Sequence, residues 1–174
     1  MAELLHPGLL LVVAGIALAA LSGRARTAVT LLAPAAAVAL VLAMPDGVAW
    51  RGTFLGYPVV PYAVDALSRL FALVFAIMAF GGGLFALKQE SRVEVPAAFV
   101  YAGSAIGVTL AGDLITVFVF WELMALGSTL VIWSAGTASA YRASMRYLMV
   151  HLLGGVVLMA GIAGHVAGTG STAF

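Results

Sequence analysis

The sequence predicts an all-α, polytopic membrane protein: a bundle of six transmembrane helices in an N-out/C-out arrangement. Of its 174 residues, 64% are hydrophobic and only 9% are charged, whereas about 25% of the residues of a typical soluble domain are charged. The hydrophobic residues fall into six long runs without the period-2 alternation of barrel strands. Inside lipid, such runs satisfy their backbone hydrogen bonds as helices.

Each hydrophobic run approaches or exceeds the ~20 residues that cross about 30 Å of hydrocarbon. The runs cover residues 4–21, 27–44, 62–87, 95–111, 114–133 and 145–167, which together predict a single transmembrane helical domain over residues 1–174. The connection 45–61 is rich in glycine and proline, which predicts turns or a small hairpin. Spans four and five are joined by two residues only, so they must be antiparallel neighbours.

The cations of the sequence fall mainly on one side of the predicted bundle. Lys and Arg in short loops are retained on the cytoplasmic side of a membrane. Six of the eight cations follow the first, third and fifth spans, and these are Arg24, Arg26, Lys88, Arg92, Arg142 and Arg146. The loops that carry them are therefore predicted to be cytoplasmic, in a multi-pass protein of the cell inner (plasma) membrane.

Several functional classes are disfavoured by composition and motifs. The net charge of +1 does not indicate nucleic-acid binding, and the absence of cysteine excludes disulfides and thiolate metal sites. No phosphate-binding loop, metal-ligand cluster or nucleophile elbow occurs. We therefore expect no cofactor, no metal and no catalytic residue, and at most a translocase component in enzymatic terms.

Glu122 is the strongest candidate functional residue in the sequence. It lies nine residues after Asp113 and eleven before Trp133, which places it ~13 to 16 Å from either end of its helix. An acidic side chain at such a depth costs at least ~2.5 to 3.5 kcal/mol on insertion scales, and such residues mark ion pathways, proton relays or inter-helix ion pairs. Glu122 is predicted to transfer protons; the alternative is a static inter-helix hydrogen bond.

His151 is the second candidate for proton transfer. It lies six residues inside the sixth predicted span, one turn after Tyr147, and imidazole can both accept and donate a proton near neutral pH. A relay and ordinary packing both remain open for it. His165 falls fourteen residues later, about 40° around the helix, and is expected at the wetted outer interface. His6 is also expected to be interfacial.

Four further residues are possible supports for the site, namely Arg146, Tyr147, His165 and Asp65. Arg146, at the start of the sixth span, is either a snorkelling anchor or the partner of an acidic group on a neighbouring helix. Asp65 and Arg69 are spaced i,i+4 at the start of the third span, which permits an ion pair with a structural role.

The helix that carries Glu122 resembles the signature helix of a known membrane protein family. Its sequence, AGDLITVFVFWELMALGS from Ala111, is similar to that of the antiporter-like subunits of multi-subunit sodium/proton antiporters, membrane-bound hydrogenases and respiratory complex I. The segments VDALSRLF from Val64 and RYLMVHLLGG from Arg146 match in the expected order. The resemblance implies that Glu122 is the glutamate that pairs with a buried lysine and modulates proton transfer. The resemblance further suggests that the chain is a D-type subunit of such an antiporter.

The resemblance covers only part of the family's fold. Full-length members have fourteen helices with two inverted five-helix repeats, and this chain resembles the first six helices, ending within the loop before the seventh. Its one lysine, Lys88, lies in a predicted cytoplasmic loop. The resemblance therefore implies a split or truncated subunit. Its expected partners are other membrane subunits, including a chain that supplies the later helices. It is also expected to interact with the lipid bilayer, with protons and with sodium.

The leading hypothesis is a membrane component of a multi-subunit cation (sodium)/proton antiporter or related complex, with part of a proton path centred on Glu122. One alternative is a non-conducting structural or assembly subunit of such a complex. The other is a proton-pumping subunit of a complex I-like oxidoreductase.

Overall fold

Six helices and one β-hairpin make up the protein in a computed structural model that describes residues 5–89 and 91–174. The helices are α1 (Pro7–Ala20), α2 (Gly23–Ala43), α3 (Ala66–Phe85), α4 (Glu94–Leu110), α5 (Leu114–Trp133) and α6 (Ala138–Thr169), and the strands are β1 (Gly47–Phe54) and β2 (Tyr57–Val64). A short 3₁₀ turn, Ala86–Lys88, continues α3. The prediction of a helical membrane protein with six helices is confirmed.

The predicted spans begin four residues late at α2, four residues early at α3 and seven residues late at α6. The fifth span matches α5 at both ends. The third was predicted to begin too early, because residues 62–64 belong to strand β2. Helix α6 begins at Ala138, seven residues before the predicted span, where the Thr137 hydroxyl accepts a hydrogen bond from the Ala140 N–H at 3.0 Å. Leu4, the predicted start of the first span, lies outside the described residues.

Four of the described helices are long and apolar enough to cross a membrane, namely α2, α3 with its 3₁₀ turn, α5 and α6. Helices α1 and α4 are apolar but have only 14 and 17 residues, about 21 and 26 Å at 1.5 Å per residue. The chain is a multi-pass membrane protein. Six complete crossings and the N-out/C-out orientation stay predictions.

Helix α4 occupies the centre of the bundle. Helices α1, α3 and α5 pack against it, α2 closes against α1 and α3, and α6 packs on α5. The backbones of α1 and α4 approach closely, because a Cβ added to Gly8 would lie 2.5 Å from the Gly103 carbonyl oxygen. Small residues permit such an approach in membrane bundles. Leu11 and Ile106 are fully buried in the resulting core.

The connection predicted as turns or a small hairpin is a hairpin. Strands β1 and β2 pair antiparallel and are joined by Leu55 and Gly56, which both have positive φ, 49° and 85°. Positive φ at both central residues is the requirement of the type I′ turn that suits the twist of a hairpin. Strand β2 buries Val59, Tyr62 and Val64 and lies against α4 and α5.

Asp113 joins the hairpin to the first turn of α5. Its carboxylate is buried, with 1% of the residue exposed, and accepts hydrogen bonds from the N–H groups of Ile115 and Thr116 at 2.9 and 3.0 Å. It also accepts from the Thr116 hydroxyl and, at 2.7 Å, from the Val60 N–H of β2. One side chain therefore caps a helix and fixes a strand.

The residues after α6 contact strand β2 and the start of α5, at the end of the bundle where the hairpin lies. The Thr172 hydroxyl donates to the Pro58 carbonyl, and the Thr172 carbonyl accepts from the Leu114 N–H at 3.0 Å. The hairpin, the start of α5 and the segment after α6 thus form one closed end, which is called the hairpin end below. The six cations of the short connections lie at or near the opposite end, called the basic end.

Candidate functional site

Glu122 lies near the middle of α5. It is eight residues from the first residue of the helix and eleven from the last, about 12 and 17 Å at 1.5 Å per residue. Its Oε1 atom is shielded from solvent, and no donor in the described part of the chain reaches it. Leaving a buried polar atom unpaired costs about 1–3 kcal/mol.

Gly155 of α6 makes room for the Glu122 carboxyl group. A Cβ added to Gly155 would lie 2.9 Å from the Glu122 Cδ atom and would collide with Oε1. The neighbouring Gly154, and Gly161 and Gly164 further along, would meet nothing within 4 Å. Four small residues in one span predict close helix packing from the sequence, but among these glycines only Gly155 is closely packed, and its contact is with the candidate functional side chain.

His151 lies one helical turn before Gly155 on α6, and residues four apart share a helix face. Its ring packs between two aromatic rings, with centroid distances of 5.5 Å to Trp121 and 5.7 Å to Tyr147. Its Nε2 atom is buried and has no partner among the described residues. Unpaired buried polar atoms are rare in native proteins, and here two of them, on α5 and α6, occur along one helix–helix interface.

Tyr147 extends this row of polar groups toward the basic end. Its hydroxyl lies 2.9 Å from the Ser128 Oγ atom of α5. Arg146 is exposed and, with Tyr147, Val150 and His151, lines a cavity of about 320 Å³ on the surface of α6. Arg146 is therefore near the row, and its role as an anchor or as a partner of an acid stays a prediction.

The structure does not bring the other two predicted site residues to Glu122. His165 is exposed on α6, fourteen residues or about 21 Å beyond His151. Asp65 is exposed and caps α3, where it accepts from the Ser68 N–H at 2.6 Å while its own N–H donates to the Ser68 hydroxyl. Hydrogen bonds to the carboxylate from the Ser68 N–H and, next, from the Ser68 side chain lower the pKa of Asp65.

Arg69 has a different partner from the one that its spacing predicted. Its guanidinium pairs with Asp46 at 2.6 Å and donates to the Met44 carbonyl at 2.8 Å. Asp65 is engaged by the capping box instead. The i,i+4 pairing was wrong because capping competes for the same carboxylate.

His6 precedes α1 and is buried beneath the hairpin rather than lying at a wetted interface. Its Nδ1 atom accepts from the Gly8 and Leu9 N–H groups at 3.0 and 3.3 Å, and its Nε2 faces the Pro61 carbonyl at 3.1 Å. Only the neutral ring with hydrogen on Nε2 satisfies both contacts. Burial lowers the pKa of His6 from 6.5 to about 4.

We expect His6 to make the folded chain less stable in mild acid. The unfolded chain binds the proton at its ordinary pKa, so the stability contribution is complete above pH 6.5 and is lost as the pH falls toward 4. The loss at pH 5 should be about 2 kcal/mol. Thermal unfolding in lipid nanodiscs as a function of pH measures it. His6→Gln should flatten this dependence and His165→Gln, at an exposed position, should not; equal slopes for wild type and His6→Gln would contradict the assignment.

A family model matches the segment that carries Glu122 and His151. The family described as "NADH:quinone oxidoreductase/Mrp antiporter, TM" matches residues 111–174. The D-type Na(+)/H(+) antiporter subunit of Alkalihalophilus pseudofirmus is 27% identical over 112 residues, which cover 59% of this chain and 23% of that subunit. NADH-quinone oxidoreductase subunit 13 of Thermus thermophilus is 29% identical over 113 residues, 65% of this chain and 24% of that subunit.

A solved structure extends the match to the whole chain. A chain of the respiratory complex I from Thermus thermophilus with bound NADH aligns with a TM-score of 0.81 and 27% identity, over 100% of this chain and 38% of that one. The chain resembles the antiporter-like membrane subunits in sequence and in fold. The archaeal membrane-bound sulfane sulfur reductase shares the fold, with a TM-score of 0.80 at 18% identity.

The family match over residues 111–174 confirms the resemblance of the Glu122 helix. The alignments span about a quarter of the length of the two subunits compared above. The similar subunits are named after both Na(+)/H(+) antiporters and NADH-quinone oxidoreductases.

Two residues that organise the site region were missed from the sequence. Asp113 was treated as part of a tight connection, although an Asp directly before a hydrophobic run is a signal for a helix N-cap. Gly155 was grouped with the other glycines of its span. Nothing in local sequence distinguishes it from Gly154, because the contact that singles it out comes from another helix.

Proposed function

We propose that this antiporter-like subunit carries part of a proton path centred on Glu122, within a multi-subunit cation/proton antiporter or a related complex I-like assembly. The observation that supports it most is the buried, unpaired Oε1 of Glu122 near the middle of α5. A carboxyl group without a fixed partner changes its proton occupancy when a cation approaches or withdraws. Acidic residues inside membrane segments typically serve such relays.

The groups beside Glu122 supply a route toward the basic end. On α6, Tyr147, His151 and Gly155 are spaced at four-residue intervals, so neighbours in this series are about 6 Å apart along the helix axis. Gly155 is the one that contacts the carboxyl group of Glu122. The proton passes from the carboxyl group to the imidazole, which accepts on one nitrogen and donates from the other. The hydroxyls of Tyr147 and Ser128 continue the route toward the water at that end.

The cation that opposes Glu122 belongs to the rest of the fold. The short alignments to the curated subunits leave most of their length unmatched, and those further helices, in the same polypeptide or in a companion chain, supply the intramembrane lysine. The names of several relatives favour sodium as the exchanged cation, and we propose the plasma membrane as the location. The structural match to a complex I chain covers all of this chain and 38% of that one, and it favours the alternative of a proton-pumping subunit that uses the same path.

A pair of adjacent glycines tests the proposal without changing any ionisable group. Gly155→Ala displaces the carboxyl group and is expected to reduce cation-coupled proton transport by the assembled complex about 10-fold or more, since small misplacements of reacting groups have effects of this size. Gly154→Ala adds the same methyl group where nothing lies within 4 Å and should leave transport unchanged. Transport is measured in inverted membrane vesicles from the dye response to cation addition.

The comparison of Gly155→Ala with Gly154→Ala also distinguishes a proton-conducting subunit from a structural one. A non-conducting assembly subunit would tolerate both substitutions in transport, provided that the complex assembles. Equal transport by Gly155→Ala and Gly154→Ala would therefore favour that alternative and contradict a path through Glu122.

A further inference from the structure

A cavity of about 720 Å³ opens at the basic end, between the α1–α2 connection and the segment that follows α3. Two polypeptide segments that are distant in sequence contribute cations to it. Its four cationic lining residues are Arg24, Arg26, Lys88 and Arg92. None of its described lining residues is acidic.

One of the four cations has a fixed structural role. The Arg26 guanidinium donates to the Ser91 carbonyl oxygen and thereby ties α2 to the connection between α3 and α4. Arg24, Lys88 and Arg92 form no ion pair with any described residue. The ion pair that the described residues contain is Arg69–Asp46, which lies at the hairpin end, away from the cavity. The cavity therefore concentrates positive charge that the described residues do not neutralise.

The remaining lining is suited to an amphiphilic ligand. Polar side chains come from Ser22, Thr27 and Gln89, and apolar ones from Leu21 and Leu87. The cavity also includes the start of α2, where Ser22 makes no side-chain capping bond. The first N–H groups of a helix lack intrahelical partners and favour negative charge.

We infer that this cavity binds the headgroup of an anionic phospholipid. Its cations and free N–H groups suit the phosphate diester, and its position at the ends of α1 and α3 and the start of α2 is the depth of lipid headgroups. Basic pockets between transmembrane helices recognise anionic headgroups in this way. Leu21 and Leu87 give the site an apolar side that suits acyl chains, which a free phosphate ion does not need. The lipid bridges the α1–α2 connection and the end of α3, independently of the proton path.

Lipid retention by the full chain tests this site. The chain is reconstituted in phosphatidylcholine vesicles that contain a minor fraction of phosphatidylglycerol, extracted in mild detergent, and its bound lipids are counted by native mass spectrometry. Wild type should retain phosphatidylglycerol selectively. The double variant Arg24→Gln/Arg92→Gln should bind it roughly 30-fold more weakly, since each cation near the membrane surface contributes about 1 kcal/mol.

A matched double variant controls for net charge. Arg51→Gln/Arg142→Gln removes two exposed arginines outside the cavity and should retain the lipid as wild type does. Arg24→Lys/Arg92→Lys should restore retention, which separates a charge effect from a folding defect. Equal loss in both glutamine doubles, absence of selectivity for phosphatidylglycerol, or displacement of the lipid by inorganic phosphate would each overturn the assignment.

Discussion

Replacement of Glu122 by glutamine is expected to abolish cation-coupled proton transport in the assembled complex without preventing assembly. Glutamine has nearly the same shape, so the contact with Gly155 and the packing of α5 on α6 should persist. It cannot release or bind a proton at physiological pH, and a relay that passes through position 122 stops. Transport in inverted vesicles and the amount of complex in the membrane are the two measurements.

Glu94→Gln is the matched control for this substitution. Glu94 is the first residue of α4, so it lies at a helix end, whereas Glu122 lies near the middle of its helix. Its carboxylate accepts a hydrogen bond from the Gln89 side chain at 2.8 Å. Its amide variant should transport as wild type does. Wild-type transport by Glu122→Gln would reduce Glu122 to a packing residue and would leave the structural role as the better account.

Replacement of Asp113 by alanine is expected to destabilise the chain by about 3 kcal/mol. The substitution removes the N-cap of α5, worth about 1 kcal/mol, and deprives the part-buried Val60 N–H and the buried Thr116 hydroxyl of their acceptor, at about 1 kcal/mol for each. The thermal unfolding temperature in nanodiscs measures the total. Hydrogen exchange should show the largest loss of protection in β2 and in the first turn of α5.

Two comparisons isolate the contribution of Asp113. Asp113→Asn keeps one acceptor oxygen and should lose less stability than the alanine variant. Asp46→Ala removes an acid with 74% of its side chain exposed, paired with Arg69, and should cost no more than about 1 kcal/mol, as expected for exposed ion pairs. If Asp113→Ala unfolds at the same temperature as Asp46→Ala, Asp113 does not connect the hairpin to the bundle.

The features predicted correctly from sequence are those that local patterns determine. The hydrophobic run 114–133 matches α5 at both ends because Asp113 starts that helix within the same stretch of sequence. The glycine-rich connection contains a hairpin because Leu55–Gly56 permits a two-residue turn. Local patterns failed where two local interactions compete, as at Asp65, which caps α3 instead of pairing with Arg69.

The sequence by itself determined the membrane-embedded helical character of this chain, its resemblance to the antiporter-like subunits, and Glu122 as the acid in the middle of a helix, since all of these depend on residue type and spacing along one segment. Only the tertiary structure decided that Gly155 faces Glu122, that His151 lies between Trp121 and Tyr147, and that His6 is buried beneath the hairpin. These contacts join helices and strands that are distant along the chain. Their partners are selected by the packing geometry of the bundle, which no local pattern encodes.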